Sequence, residues 1–197
     1  MVKSCLPGTN IQMDLQGGQD YRCTLNAVFA ITGGVYLSQL AEMVGVPGAT
    51  LQNWVKRGFV ANPVNKRYTR RQTCRIILIA LLRHILPLED ITALLSSINH
   101  NLADEQDDLI DDSELYLYFC DVVLNLPESS YFDPQELAGR IETVTKPFAA
   151  AGLPGNTANL ELLQQVLTTM VLAYGAWQLR DQATGILAQI KRKEQIP

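Results

Sequence analysis

The chain has 197 residues, of which 47% are hydrophobic and 18% charged, with a net charge of −4. This length and composition describe one large or two small globular domains with a sizeable core, and exclude a disordered or fibrous chain. No apolar run approaches the ~18 residues of a membrane span, and Met1 to Leu15 is too polar for a secretory leader, so a cytoplasmic protein without membrane contact is expected.

Met1 to Asp20 holds Pro7-Gly8 and Gly17-Gly18 and reads as an irregular arm. Tyr21 to Ile31 fits a short helix that Gly33-Gly34 stops. Ser38 is the expected N-cap of a helix through Val44, with Leu40, Ala41 and Val44 on one face and Gly45 at its end. Beyond the turn at Pro47-Gly48, a second short helix runs from about Ala49 to Arg57, with Leu51 and Val55 facing inward together. Phe59 to Tyr68, containing Pro63 and Asn65, reads as a loop or small hairpin. Thr69 and Gln72 form a capping-box pattern at the head of a helix reaching about Leu86. After Cys74 that helix is apolar on nearly all sides, which predicts a central place in the core.

Pro87 ends this helix and suits the first turn of the next, where Leu88, Ile91, Leu94, Leu95 and Ile98 form one stripe. Asn99 to Asp112 is a polar, acidic connection, and a helix from about Ser113 to Leu126 follows. Asp133, Pro134 and Glu136 open another helix as N-cap, first residue and capping-box acid, and Lys146-Pro147 and Gly152 to Gly155 are expected to break it. Ala158 to Lys193 contains no proline and would span roughly 50 Å as one helix. The expected architecture is mainly α. A basic unit, residues 1–100, holds a helix-turn-helix with a small wing hairpin, and an acidic helical bundle, residues 101–197, carries a long C-terminal helix.

Charge is distributed unevenly. Between Met43 and Leu88 there is no Asp or Glu but there are eight cations: Lys56, Arg57, Lys66, Arg67, Arg70, Arg71, Arg75 and Arg83. From His84 to Gly139 there is no Lys or Arg but there are thirteen carboxylates. Two surfaces with different partners, or two faces compensating each other within one domain, both account for this pattern.

The two short helices from Ser38 to Arg57, with their tight turn, have the arrangement of a helix-turn-helix. Gln52, Asn53, Lys56 and Arg57 supply a polar outer side: amides can pair with adenine edges, and cations with guanine or phosphate. Lys66, Arg67, Arg70 and Arg71 are placed to return along a phosphate backbone.

The run Thr50-Leu51-Gln52-Asn53-Trp54-Val55-Lys56-Arg57-Gly58-Phe59-Val60 resembles the recognition helix of MerR-like and excisionase-like proteins. Lys66-Arg67-Tyr68 is similar to the wing of that family, and Leu88 to Leu95 to the helix pair after it. The resemblance covers about residues 37 to 98 and is nearest to a bacterial family, the domain of unknown function 1836. It implies contact with double-stranded DNA through Thr50, Gln52, Asn53, Trp54, Lys56, Arg67 and Tyr68, and Trp54 at the helix edge equally fits an aromatic packed on the wing. It further implies regulation of transcription, a homodimer formed through the C-terminal helical half, and room for a small-molecule effector. The chain departs from the family at Gln52, usually basic, and Asn53, usually aromatic, so the sequence read in the groove does not transfer. Leu163, Val166, Leu167, Met170, Tyr174 and Trp177 offer one apolar face for dimerisation, and packing within the monomer explains the same stripe.

No enzyme, metal or cofactor is expected. Cys5, Cys23, Cys74 and Cys120 form no CxxC pair and read as buried structural thiols. Neither His lies in a nucleophile motif, Gly152 to Gly155 lacks the lysine of a phosphate loop, and the acidic run from Asp104 places Leu109 and Leu115 where a calcium loop needs Gly and Glu. Two other readings stand beside DNA binding. One is a protein-interaction module that keeps the helix-turn-helix; the other is a ligand-binding bundle lined by Tyr116, Phe119, Tyr174 or Trp177.

Overall fold

Strands β1 (Ser4–Cys5) and β2 (Gln12–Met13) pair antiparallel with Ser4 opposite Met13, and helix α1 (Tyr21–Ala30) follows. These and all later elements come from a computed structural model that describes residues 4–13, 21–30, 33–99, 102, 108–150 and 156–194. Next come strand β3 (Val35–Tyr36), helix α2 (Leu37–Val44), helix α3 (Gly48–Lys56) and strand β4 (Arg67–Tyr68). Strands β3 and β4 pair antiparallel, Val35 opposite Tyr68 and Tyr36 opposite Arg67, so the chain that enters α2 is tied to the chain that leaves α3. Helices α4 (Arg70–Leu82), α5 (Leu88–Ser96) and α6 (Asp112–Val123), a 3₁₀ turn (Glu128–Phe132), α7 (Pro134–Ala150) and α8 (Asn156–Glu194) complete a mainly helical protein.

Local hydrogen bonds set most of these boundaries. Thr69 Oγ1 accepts from the Gln72 amide at 3.3 Å while Gln72 Oε1 accepts from the Thr69 amide at 3.0 Å, closing the expected capping box on α4. Asp133 Oδ1 accepts from the amides of Gln135 and Glu136, the cap expected for α7. Gly45 takes φ +64° and the Val46 amide reaches back to Ala41 O, which ends α2 as its glycine predicts.

Five expectations are corrected. Cys5 and Cys23 are exposed, while Cys74 and Cys120 are the buried thiols. Helix α2 starts at Leu37 with Tyr36 as N-cap, not Ser38, because Tyr36 is already extended in β3 and its amide is held by Gln39 Oε1 at 2.9 Å. Helix α4 stops at Leu82, and hydrogen-bonded turns carry the chain to Leu86. Helix α6 likewise stops at Val123, three residues short of Leu126. Lys146-Pro147 does not break α7: Thr145 and Phe148 are buried on either side of the proline, and Gln164 of α8 donates to Thr145 Oγ1. Packing across the site outweighs the one backbone bond that proline removes. The break expected at Gly152 to Gly155, and the acids Asp104, Glu105 and Asp107, lie outside the described residues.

Helix α4 forms the centre. Every residue from Gln72 to Leu82 is buried, and the helix packs against α2, α5, α6 and α8. Its apolar circumference is therefore used on all sides, as the sequence indicates. Residues of both the basic and the acidic halves enter one core cluster, from Leu40, Leu51 and Trp54 to Leu115, Phe119, Leu163 and Met170. Tyr116 and Phe119 are also fully buried there: the Tyr116 hydroxyl donates to Pro7 O at 2.6 Å, and Phe119 meets Tyr174 edge-on at 5.5 Å. These aromatics fill the core. Helix α8 runs through Gly175, where a β-carbon would come within 2.9 Å of the Phe132 ring, so glycine permits the close approach of the 3₁₀ turn. No helix among the described residues is long and apolar enough to cross a membrane.

Candidate nucleic-acid interface

Helix α3 buries Leu51 and Trp54 against α2 and the core, which leaves Gln52, Asn53 and Lys56 exposed on the opposite side. Thr50 is half-buried beside them. Behind α3 the chain reverses in a turn at Val64–Arg67, where the two residues exchange backbone hydrogen bonds of 2.9 and 3.0 Å. Asn65 and Lys66 both take positive φ, 51° and 63°, the pattern of a type I′ hairpin turn. The turn holds Lys66 out into solvent. Arg67 folds back over the Tyr36 ring, 4.6 Å from its centroid, and donates to the Tyr36 hydroxyl at 2.8 Å.

A groove of about 600 Å³ lies between these parts. Tyr36 to Ser38 form one wall, Gln52 and Val55 of α3 the floor, and Pro63, Lys66 and Tyr68 the other wall. Polar ends therefore rim a largely apolar trough.

The structure divides the residues singled out in the sequence. Gln52, Lys66 and Tyr68 line the groove, with Arg67 on Tyr36 at its edge and Asn53 and Lys56 on the outer side of α3. Trp54 and Tyr68 are each only 3% exposed, so their rings act in packing, and burial raises the Tyr68 hydroxyl pKa above its usual value. Arg83 lies over the Trp54 ring at 5.7 Å. Arg57, Arg70 and Arg71 turn away from the groove to carboxylates. Arg57 meets Glu89 of α5 at 2.8 Å and covers the Phe59 ring. Arg70 reaches Glu114 of α6 at 3.5 Å, and Arg71 reaches Asp108 at 2.6 Å, with Asp111 and Asp112 at 3.8 and 3.7 Å.

Helix electrostatics explain this pairing. Arg70 and Arg71 occupy the first turn of α4, where the dipole disfavours cations. Asp111, Asp112 and Glu114 at the head of α6 supply the compensating charge. Arg75, 2% exposed, completes the joint: it donates to Phe59 O at 2.8 Å and pairs with Asp112 at 3.2 Å. Burial pushes the Asp112 carboxyl pKa up, against the opposing pull of Arg75 and Arg71. Tyr21 and Arg22 of α1 also bind Asp121 of α6. The sequence showed the charge blocks but not these partners. Tyr36, which frames the groove, was also missed, and its only sequence signal is the β-branched and aromatic pair Val35-Tyr36 after Gly33-Gly34.

Residues 34–119 match the model of a family described as a domain of unknown function (DUF1836). The matched stretch runs from the residue before β3 to the middle of α6, and so holds the groove, α3, the turn and the ion-paired joint. No curated protein and no solved structure matches the chain.

Proposed function

We propose that the unit preceding α4 is a MerR-like helix-turn-helix with a wing, and that the protein binds double-stranded DNA to regulate transcription. In this reading α3 enters the major groove, where Gln52 and Asn53 meet base edges. Lys56, Lys66 and Arg67 lie along phosphates. One observation carries the proposal: the exposed Gln52, Asn53 and Lys56 of α3 stand beside a hairpin turn that projects Lys66 across a shared groove.

Fluorescence anisotropy with mixed-sequence duplex DNA, titrated in salt, tests it. Three phosphate contacts predict that binding weakens roughly 40-fold between ~50 and ~200 mM salt. Lys56→Glu/Lys66→Glu is the informative variant, since both side chains are exposed and their reversal leaves the ion pairs of Arg57, Arg70 and Arg71 intact. Binding lost in that variant supports the proposal. A folded protein that fails to bind at low salt overturns it.

A second reading, a protein-interaction module on the same scaffold, draws on the apolar trough and on the carboxylates already bound to Arg57, Arg70 and Arg71. Absence of DNA binding would favour it.

A further inference from the structure

Residues 4–13, which lie outside the family match, tie the α2–α3 pair to the acidic half of the chain. Between β1 and β2 the chain turns tightly, with the Leu6 amide on Ile11 O at 2.8 Å and the Thr9 amide on Leu6 O at 2.9 Å. Leu6 and Met13 are buried, so both ends of the turn are anchored in the core. Ahead of Gly8, the buried Tyr116 hydroxyl of α6 donates to Pro7 O at 2.6 Å. Past Gly8, Asn10 closes the end of α2: its amide donates to Met43 O at 2.9 Å and its Nδ2 to Glu42 O at 3.1 Å. Both are carbonyls of the kind that a helix C-terminus leaves without partners. Gly8 itself, at φ +76°, is pressed onto α4, where a β-carbon would come within 3.0 Å of Ile77 and 3.1 Å of Leu81.

Packing secures the middle of α2 better than its end. Leu40 and Met43 are buried, but a cleft of about 290 Å³ lies between residues 42–45 and Leu81, His84 and Trp177, with residues 8–10 along it. The end of α2 leads through Gly45 and Pro47 directly into α3, so its position sets the tilt of α3. The wing is fixed separately, through the pairing of β3 with β4.

We propose that the Leu6–Ile11 turn is a strap by which α6 positions α3, with Asn10 and Tyr116 as the positioning residues. The consequence for binding rests on the DNA reading above. Neither residue belongs to the surface of α3 and the wing: Tyr116 is in the core, and Asn10 lies on the cleft behind α2. An α3 that samples several tilts matches the duplex together with the wing for only part of the time, and the apparent affinity falls by that fraction.

Asn10→Asp and Tyr116→Phe test the strap in the full chain. Asp keeps the shape and the backbone bond of Asn10 but sets an acceptor against Glu42 O, at the negative end of α2. Phe removes only the hydroxyl that holds Pro7 O. Each variant should bind duplex DNA about fivefold more weakly, the effect of one lost hydrogen bond. The salt slope should stay that of the wild type, because the same phosphates are met. The two bonds act in series, so the double variant should lose little more than either single one, where independent losses would multiply to about 25-fold. Amide exchange should quicken across residues 44–56 in all three variants and stay unchanged across residues 76–82 of α4. Wild-type affinity in Asn10→Asp, multiplied losses in the double variant, or faster exchange throughout α4 overturns the proposal. A wild type that never binds DNA overturns the DNA reading instead, and exchange then decides the strap: quickened residues 44–56 support it, and unchanged ones overturn it.

Discussion

His84 stacks on Trp177 with ring centroids 4.8 Å apart and planes 15° from parallel. Burial, with the nearby Arg83 and Arg180, lowers its pKa below the usual 6.5, and Asp181 opposes that shift. The folded protein therefore holds this proton less tightly than the unfolded chain. Stability contributed at His84 is complete above pH 6.5 and is lost as pH falls through that value toward the folded pKa. A protonated imidazole also quenches a stacked indole. Tryptophan fluorescence should thus drop with a midpoint below 6.5, and His84→Gln should abolish the step. A midpoint at or above 6.5 would contradict the packing around this ring. Arg75 and Asp112 illustrate a second residue-scale rule: two buried charges persist because each is the other's partner, and Phe59 O takes a further donor.

Among the elements, the hairpin turn before β4 is notable for holding Lys66 at positive φ, where glycine is the favoured residue. Lysine there costs about 1 kcal/mol of backbone strain. Lys66→Gly is accordingly expected to keep or raise the melting temperature, although it removes a cation from the groove. In DNA-binding titrations the same variant should lower the slope of log affinity against log salt by about 1. A large loss of stability would show that the lysine stem packs in a way its exposure does not suggest. The proline inside α7 teaches the opposite lesson: its local preference is real, and tertiary contacts at Thr145 and Phe148 override it.

At the level of the whole molecule, basic and acidic halves do not stand apart. Arg70, Arg71 and Arg75 on α4 meet Asp108, Asp112 and Glu114 from the acidic half, and α6 and α8 cover α4. A fragment of residues 1–100 would expose the faces of α4 and strand Arg75 without its carboxylate, a costly burial of unpaired charge. It is expected to lack a near-UV circular dichroism signal and to be digested rapidly at protease levels the full chain resists. A fragment with a dispersed amide NMR spectrum would show instead that the basic half folds alone. The family match, which runs to residue 119, includes α6's share of the joint.

What could be read directly from the sequence follows from how far each interaction reaches. The caps at Thr69 and Asp133, the glycine end of α2 and the mainly helical character rest on hydrogen bonds and side-chain periods spanning a few residues. Such patterns are written in consecutive positions, and so is the burial of α4, whose apolar circumference leaves no face for water. Tertiary structure alone decided which cations remain at the groove and which are bound: Arg71 and Asp108 are 37 positions apart, and nothing local pairs them. It also decided that Trp54 packs inward and that Tyr36 frames the groove. Along α8 the sequence offers apolar residues on more than one face, and only the finite length of the neighbouring helices leaves one stripe in the core and another in solvent.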